Sequence, residues 1–357
     1  MHGSFRRAAF RCVALLAAAI AACPASAQTL PALGADLTRT TVSGLSSGAY
    51  MAGQFQIAYS RLVTGAGIVA GGPYGCAHTP GSELNPFWLV VLGWNVYRAQ
   101  NQCMEDGLFF SSVPDPGTMA DYAERLAGDG RIDPLGALRG DKLYIFSSRK
   151  DDTVERGVVE AAVAFYKKAG VPEANISFVT NDKAAHSFLT ESEGPQCGTT
   201  GPPFLNDCDY DQAKAILQQL YGTLQPARPA GDANFLRFKQ ASFHAGLNGA
   251  DFNEDGMAYI PADCRTHSGC AVHVVFHGCK QGLSAADVGE TFVRGSGYAR
   301  WAEANRLIVL FPQVRPGDGN PNGCWDWWGY SGPHFLERDA PQMVGVKHMI
   351  DRLAATP

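Results

Sequence analysis

Two hydrophobic periodicities alternate along this chain. Short β-branched or continuously apolar runs stand at 37–42 (LTRTTV), 67–70 (GIVA), 142–147 (KLYIFS), 175–180 (NISFVT), 257–261, 272–276 (VHVVF) and 307–311. Their length and composition predict strands. Between them, apolar residues recur at helical spacing. The stretch 49–59 places Met51, Phe55 and Ala58 on one face, a second stretch carries Trp88, Leu92 and Val96 at fours, and further helices are predicted near 119–127, 155–169, 298–304 and 340–354. Strands alternating with helices imply a mostly parallel, doubly wound sheet, the architecture of an α/β fold. The segment 222–231 (GTLQPARPAG) breaks both periodicities and reads as a linker, dividing the chain into a 28–221 half and a 232–357 half. No internal repeat of about 20 to 50 residues is visible.

Composition narrows the class. A chain of 357 residues with 46% hydrophobic content can bury a large core. A net charge of -5, a pI near 6.0 and the absence of a basic stripe exclude nucleic acid as a partner. The first residues are a processing signal: Arg6, Arg7 and Arg11 precede the apolar run 13–22, and Ala25-Ser26-Ala27 offers small residues at the cleavage positions. Residues 1–27 are therefore expected to be removed, leaving a mature chain that starts at Gln28 and is exported. A weaker alternative is lipidation at Cys23, which follows Ile20-Ala21-Ala22. No later apolar run reaches the roughly 18 residues of a bilayer span.

Ten cysteines less Cys12 and Cys23 leave eight in the mature chain. An even number in an oxidising compartment suggests four disulfides. Proximity favours Cys197–Cys208 and Cys264–Cys270 as local staples, leaving Cys76–Cys103 and Cys279–Cys324. Neither C-x-x-C nor H-E-x-x-H occurs, so no metal and no cofactor is expected. The run Asp251-Phe252-Asn253-Glu254-Asp255-Gly256 imitates a calcium loop, but Ala262 occupies the twelfth position where a bidentate glutamate belongs, so a plain turn is expected.

The chemistry centres on Gly44-Leu45-Ser46-Ser47-Gly48, a G-x-S-x-G sequence between a predicted strand and a predicted helix. Flanking glycines permit a tight turn that exposes the serine at a helix N-terminus, among backbone N–H groups suited to a developing oxyanion. Asp151 follows the strand 142–147, and His186 follows the strand 175–180. A serine, an acid and a histidine beyond the carboxyl ends of parallel strands, in that chain order, meet the needs of acyl transfer: the histidine deprotonates the serine and the carboxylate orients the histidine. Asp152 stays open as the acid, although it fits better as the N-cap of the helix beginning near Glu155. His277-Gly278-Cys279 follows another strand and looks like the loop that supplies an oxyanion N–H in esterases. Such a loop ordinarily precedes the nucleophile elbow, yet here Cys279 lies 279 − 46 = 233 positions after Ser46.

That permuted order, with Gly-Leu-Ser-Ser-Gly, Lys150-Asp151 ahead of a valine, Ala-His186, Phe-His277-Gly-Cys-Lys-Gln and Cys324-Trp-Asp-Trp, resembles the secreted short-chain-length polyhydroxyalkanoate depolymerases. The resemblance covers nearly all of the mature chain and implies one circularly permuted α/β-hydrolase catalytic domain over 28–357. It implies a serine esterase acting on poly(3-hydroxybutyrate) or its oligomers through an acyl-enzyme, with Ser46, Asp151 and His186 as triad. It further implies the backbone N–H groups of Ser47 and Cys279 as oxyanion hole and Trp325, Trp327 and Trp328 along the substrate crevice, at least one of them expected in the core. Two departures stand out. The acid motif reads Ser148-Arg149-Lys150-Asp151-Asp152, where relatives tend to have Gly-Thr before Lys-Asp, and this chain stops at Pro357, where many extracellular relatives continue into a polymer-binding module. Related folds also serve feruloyl and acetyl-xylan esters, and a secreted non-catalytic binding protein is the reading from another class.

Overall fold

The computed structural model describes residues 28–81, 87–105 and 113–357; the leader 1–27 lies outside the described residues. The chain enters in the middle of its own sheet. β1 (Asp36–Leu45) is the central strand, and β2 (Val63–Val69), β3 (Lys142–Ser148) and β4 (Ile176–Asn181) are added outward from it, each parallel to the last. A separate two-stranded ladder follows, β5 (Phe188–Thr190) with β6 (Leu205–Asp207). The chain then resumes at the opposite edge of the large sheet with β7 (Phe235–Lys239), antiparallel to β8 (Asp255–Tyr259). β9 (Ala271–Phe276) runs parallel to β1 on its free side, and β10 (Leu307–Phe311) closes the gap between β9 and β8. The eight strands lie in the order β4-β3-β2-β1-β9-β10-β8-β7. This is a mostly parallel α/β-hydrolase sheet whose chain starts at the strand leading into Ser46, with the strands that ordinarily precede it supplied at the end.

Central strands of a sheet covered on both faces should be apolar throughout. β9 and β10 (AVHVVF and LIVLF) are buried at every position, whereas the edge strand β4 is only half-buried. Alternation along β2 sorts the covering helices: a side chain at Gly67 would meet Ile216 of α5 (Gln212–Tyr221), while Ile68 faces Gly53 of α1 (Ser47–Ala58). The other helices are α2 (Trp88–Gln102), α3 (Pro116–Gly128), α4 (Arg156–Lys168), α6 (Thr291–Gly295), α7 (Tyr298–Asn305) and α8 (Pro341–Ala354).

The predicted strands and helices all appear, with ends shifted by a few residues; α5, α6, β7 and the β5–β6 ladder are additions. Two helices differ in how they are buried. α1 is not amphipathic: all of its residues but Gly53 are buried, because the sheet lies under it and the loop around Trp327 lies over it. The inner stripe of α2 is Val91, Asn95 and Ala99, one step round from the spacing of Trp88, Leu92 and Val96, which are half-buried. Its outer side exposes Leu89, Val90 and Trp94. The run 222–231 has no helix or strand, yet it is tied down: the Gln225 N–H donates to Asn305 and the Arg228 N–H to the Arg300 carbonyl.

Where β1 and β9 meet, one polar cluster is sealed inside the sheet. The imidazole of His273 lies between Thr41 Oγ1 at 2.7 Å and Ser43 Oγ at 2.8 Å, and Ser43 also meets the Tyr298 hydroxyl at 2.7 Å. Burial without a carboxylate partner pushes the His273 pKa down to about 3. The folded protein therefore keeps this ring neutral, whereas an unfolded chain protonates it below its ordinary value of 6.5. A depressed folded pKa leaves stability intact above pH 6.5 and removes it as the pH falls toward 3. We predict that the unfolding free energy drops between pH 6.5 and pH 4 and that His273→Gln flattens this drop by up to one proton, about 1.4 kcal/mol per pH unit. Equal slopes in the two proteins, measured by urea unfolding, would contradict this reading of the cluster.

Candidate active site

The elbow forms because two glycines allow it. A Cβ at Gly44 would stand 2.2 Å from the Gly48 carbonyl oxygen, and one at Gly48 would stand 2.2 Å from the Phe276 carbonyl oxygen and 2.5 Å from that of His277. Neither position has room for a side chain. Between them Ser46 adopts φ 57° and ψ -123°, a conformation that a non-glycine residue occupies only at a cost of order 1 to 3 kcal/mol. The turn is held by Ser46 N–H donating to Val69 O at 3.0 Å and by Ser46 O accepting from Ala49 and Tyr50. The N–H groups of Ser47 and Gly48, the first two of α1, have no partner among the described residues.

Asp151 and His186 are brought together by the turns that follow β3 and β4. The Nδ1–H of His186 donates to Asp151 Oδ2 at 2.8 Å, with Oδ1 at 3.0 Å, and both side chains are buried. Asp151 Oδ1 also accepts the N–H groups of Thr153 and Val154, so the carboxylate is immobilised on both sides. Asp152 is exposed and does not face the histidine. Nor does it cap the next helix, because the turn carries the chain one step further and Glu155 occupies the N-cap of α4. On the histidine side, Asn181 Oδ1 accepts from Lys183 and Ala184, and the Ala185 N–H donates to Cys197, which is bonded to Cys208. Ser46 and His186 line one cleft of about 530 Å³. Among the described residues no hydrogen bond joins them.

His277-Gly278-Cys279 lies on the other side of Ser46. The Gly278 N–H donates to Gln281 Oε1 at 2.7 Å and the Lys280 N–H to Asn322 O at 2.8 Å. Between these two bonded amides, the Cys279 N–H has no partner among the described residues. The His277 ring braces the loop as a structural group: its Nδ1–H donates to Gly278 O and its Nε2 accepts from Val314, while burial pushes its pKa down to about 4. Gln281 reaches back with its amide to Pro203 and Phe204.

The tryptophans divide. Trp327 and Trp328 line the cleft, whereas Trp325 is fully buried against Phe276 and Phe252 and does not reach it. Trp327 stacks on Tyr50 with ring centroids 4.1 Å apart. The indole N–H groups of Trp327 and Trp328 find no acceptor among the described residues, although both are buried. Asp326, between Trp325 and Trp327 in sequence, accepts from the N–H groups of Gly329, Tyr330 and Ser331. Sequence reasoning did not single out Asp326, Gln281, Asn320 or Asn95. Asn320 clasps both backbone groups of Cys324, and Asn95 donates from α2 to Trp328 O. The signal for these is a polar residue inside an apolar or tryptophan-rich run, which has meaning only once the backbone groups it satisfies are known.

All four disulfides pair as proximity suggested, at Cys76–Cys103, Cys197–Cys208, Cys264–Cys270 and Cys279–Cys324. The last ties the loop beside Ser46 to the tryptophan loop. Among the described residues no cluster of side chains is arranged to hold a metal ion, and no helix is long and apolar enough to cross a membrane.

No family model matches the sequence. The chain is 38% identical to a poly(3-hydroxybutyrate) depolymerase of Delftia acidovorans over 335 residues, 92% of this chain and 62% of that protein, so it spans less than two thirds of that relative. It is 32% identical to a polyhydroxybutyrate depolymerase of Talaromyces funiculosus over 356 residues, 94% of this chain and 96% of that protein. Among solved structures, it superposes with a TM-score of 0.78 on the PHB depolymerase from Penicillium funiculosum, at 30% identity, covering 92% of this chain and 99% of the other. A serine-to-alanine variant of a PHB depolymerase complexed with an R3HB trimer gives a TM-score of 0.79 with the same identity and coverage.

The Cys279–Cys324 bridge makes a prediction. Closing a loop of 45 residues contributes about 3 to 4 kcal/mol in the chain-entropy account. Displacing an oxyanion donor costs about 10² to 10³ in rate. Cys279→Ser and Cys324→Ser should each lose stability and esterase activity to similar extents, and the double variant should be little worse than either. Additive losses, read from thermal melts and initial rates, would show that the bridge does not couple the two loops.

Proposed function

Because the chain belongs to the poly(3-hydroxybutyrate) depolymerase family, we propose that it is a serine esterase that hydrolyses poly(3-hydroxybutyrate) or its oligomers. The observation that carries this reading is the cleft itself. A strained serine and an Asp–His pair stand at one side, and apolar and neutral walls surround them. A polyester of 3-hydroxybutyrate presents methyl groups and neutral esters to such walls. The exposed apolar side of α2 adjoins the cleft, which Val96, Ala99 and Met104 line from the same helix and its end. A hydrophobic polymer surface suits it.

In this reading Ser46 Oγ attacks the ester carbonyl as His186 Nε2 takes its proton, and Asp151 holds the ring and stabilises the imidazolium. The N–H groups of Ser47 and Cys279 receive the oxyanion. His186 then protonates the departing alkoxide, a 3-hydroxyacyl group remains on Ser46, and water releases it by the reverse route. The catalytic domain is 28–357, with 1–27 a leader removed on export, and the site of action is outside the cytoplasm, where four disulfides are stable.

Purified enzyme should release 3-hydroxybutyrate or its short oligomers from polymer film. Release of ferulate from a feruloyl ester, with none from film, would move the chemistry to cell-wall esters, and no turnover of either would leave a binding protein. Ser46→Ala, His186→Ala and Asp151→Ala should each lower kcat by on the order of 10⁴-fold while melting as the wild type does. Asp152→Ala should retain most activity; if it is instead the inactive one of the two aspartate variants, the acid is misassigned by one position.

A further inference from the structure

The cleft holds one charge that ester hydrolysis does not use. Among the described residues lining it, apart from His186, only Lys280 is charged. Lys280 follows Cys279 directly, and its backbone stands in the left-handed region at φ 58°, fixed by N–H donation to Asn322 O at 2.8 Å. A lysine at such a position is uncommon, and the turn holds its Cα beside the oxyanion donor. Among the described residues its ammonium enters no ion pair and no hydrogen bond. Among the described residues Lys167, Lys239 and Lys347 are paired with Glu173, Asp255 and Asp351, while Lys150 and Lys183 on the open surface form no ion pair; what sets Lys280 apart is its place on the cleft wall.

The substrate class gives that cation one complement. Each ester along a 3-hydroxyalkanoate chain is neutral, one chain end is a hydroxyl, and the other is a carboxylate. For any scissile ester the acyl fragment runs to the hydroxyl end and the leaving alkoxy fragment runs to the carboxylate end. On hydrolysis the carbonyl carbon gains the water oxygen and the leaving oxygen gains a proton, so the carboxylate always departs with the alcohol. Resting on the polyester reading above, we propose that Lys280 recognises the terminal carboxylate of a 3-hydroxyalkanoate oligomer on the leaving-alcohol side. The enzyme then favours oligomers with a free carboxylate close to the scissile bond over capped chains and internal bonds.

A single ion pair at a half-open cleft with apolar walls should be felt as roughly three- to tenfold in kcat/KM, carried by KM. The test compares the 3-hydroxybutyrate trimer as free acid with its methyl ester, at pH 8 and low salt. Wild type should prefer the acid by that factor, with the preference shrinking as sodium chloride is added. Lys280→Met should bring the ratio of the two substrates toward one, and Lys280→Arg should restore it. Equal kcat/KM for acid and ester in the wild type, or an unchanged ratio in Lys280→Met, overturns the proposal while leaving the esterase reading intact. If the wild type hydrolyses neither trimer, it is the polyester reading that falls, and this inference goes with it.

Discussion

Everything at the site depends on how closely the start of α1 approaches the end of β9. The backbone at Gly48 lies against the carbonyl oxygens of Phe276 and His277, where a single methyl group would collide with both. This contact joins residues more than two hundred positions apart, and it brings the exposed turn at Ser46 beside the loop that carries Cys279. The same approach allows the two ends of the permuted chain to share one sheet, because β1 pairs with β9 in parallel along residues 41–44. Ser46 is held at positive φ by that packing, and the strain persists because the surrounding strands, helix and loop over-determine it.

Around this contact the protein separates rigid polar supports from a neutral reactive surface. Asp326, Asn320, Gln281, Asn181 and His277 each satisfy backbone groups of a loop and none presents charge to the cleft. Away from the cleft, burial raises the Asp141 pKa to about 7, and its partner is the neutral amide of Gln56. A cleft whose walls carry little charge is matched to a substrate made of neutral esters, since every buried charge left unpaired would weaken binding of an apolar chain. Against that background the ammonium of Lys280 is the exception that distinguishes one end of a substrate from the other.

Much of this was legible in the residues alone, for identifiable reasons. β9 and β10 were visible because central strands are apolar at every position, and the elbow was visible because its glycines flank one serine in a fixed pattern. The disulfides followed from proximity in the chain. What stayed hidden depended on tertiary context. The burial of α1 on all sides comes from the tryptophan loop that folds over it, and the inner stripe of α2 turned because Asn95 is buried to bond Trp328 and Thr79. Trp325 and Trp327 are two residues apart in one motif, yet one packs on Phe276 in the core and the other on Tyr50 at the cleft. No local pattern separates them. The helix α5 (QAKAILQQLY) escaped notice because glutamines and a lysine interrupt its apolar stripe, although Gln212 is itself buried and accepts from Leu189 N–H.

The central claim is that Ser46 carries the acyl group of a 3-hydroxyalkanoate ester during turnover. The most direct measurement is rapid acid quenching of the enzyme during hydrolysis of a 3-hydroxybutyrate oligomer, followed by digestion and mass spectrometry of the peptides. The account predicts a 3-hydroxybutyryl adduct on the peptide containing Ser46, formed within one turnover and absent from the His186→Ala protein. An adduct on another residue, or steady hydrolysis with no covalent species at any quench time, would contradict it.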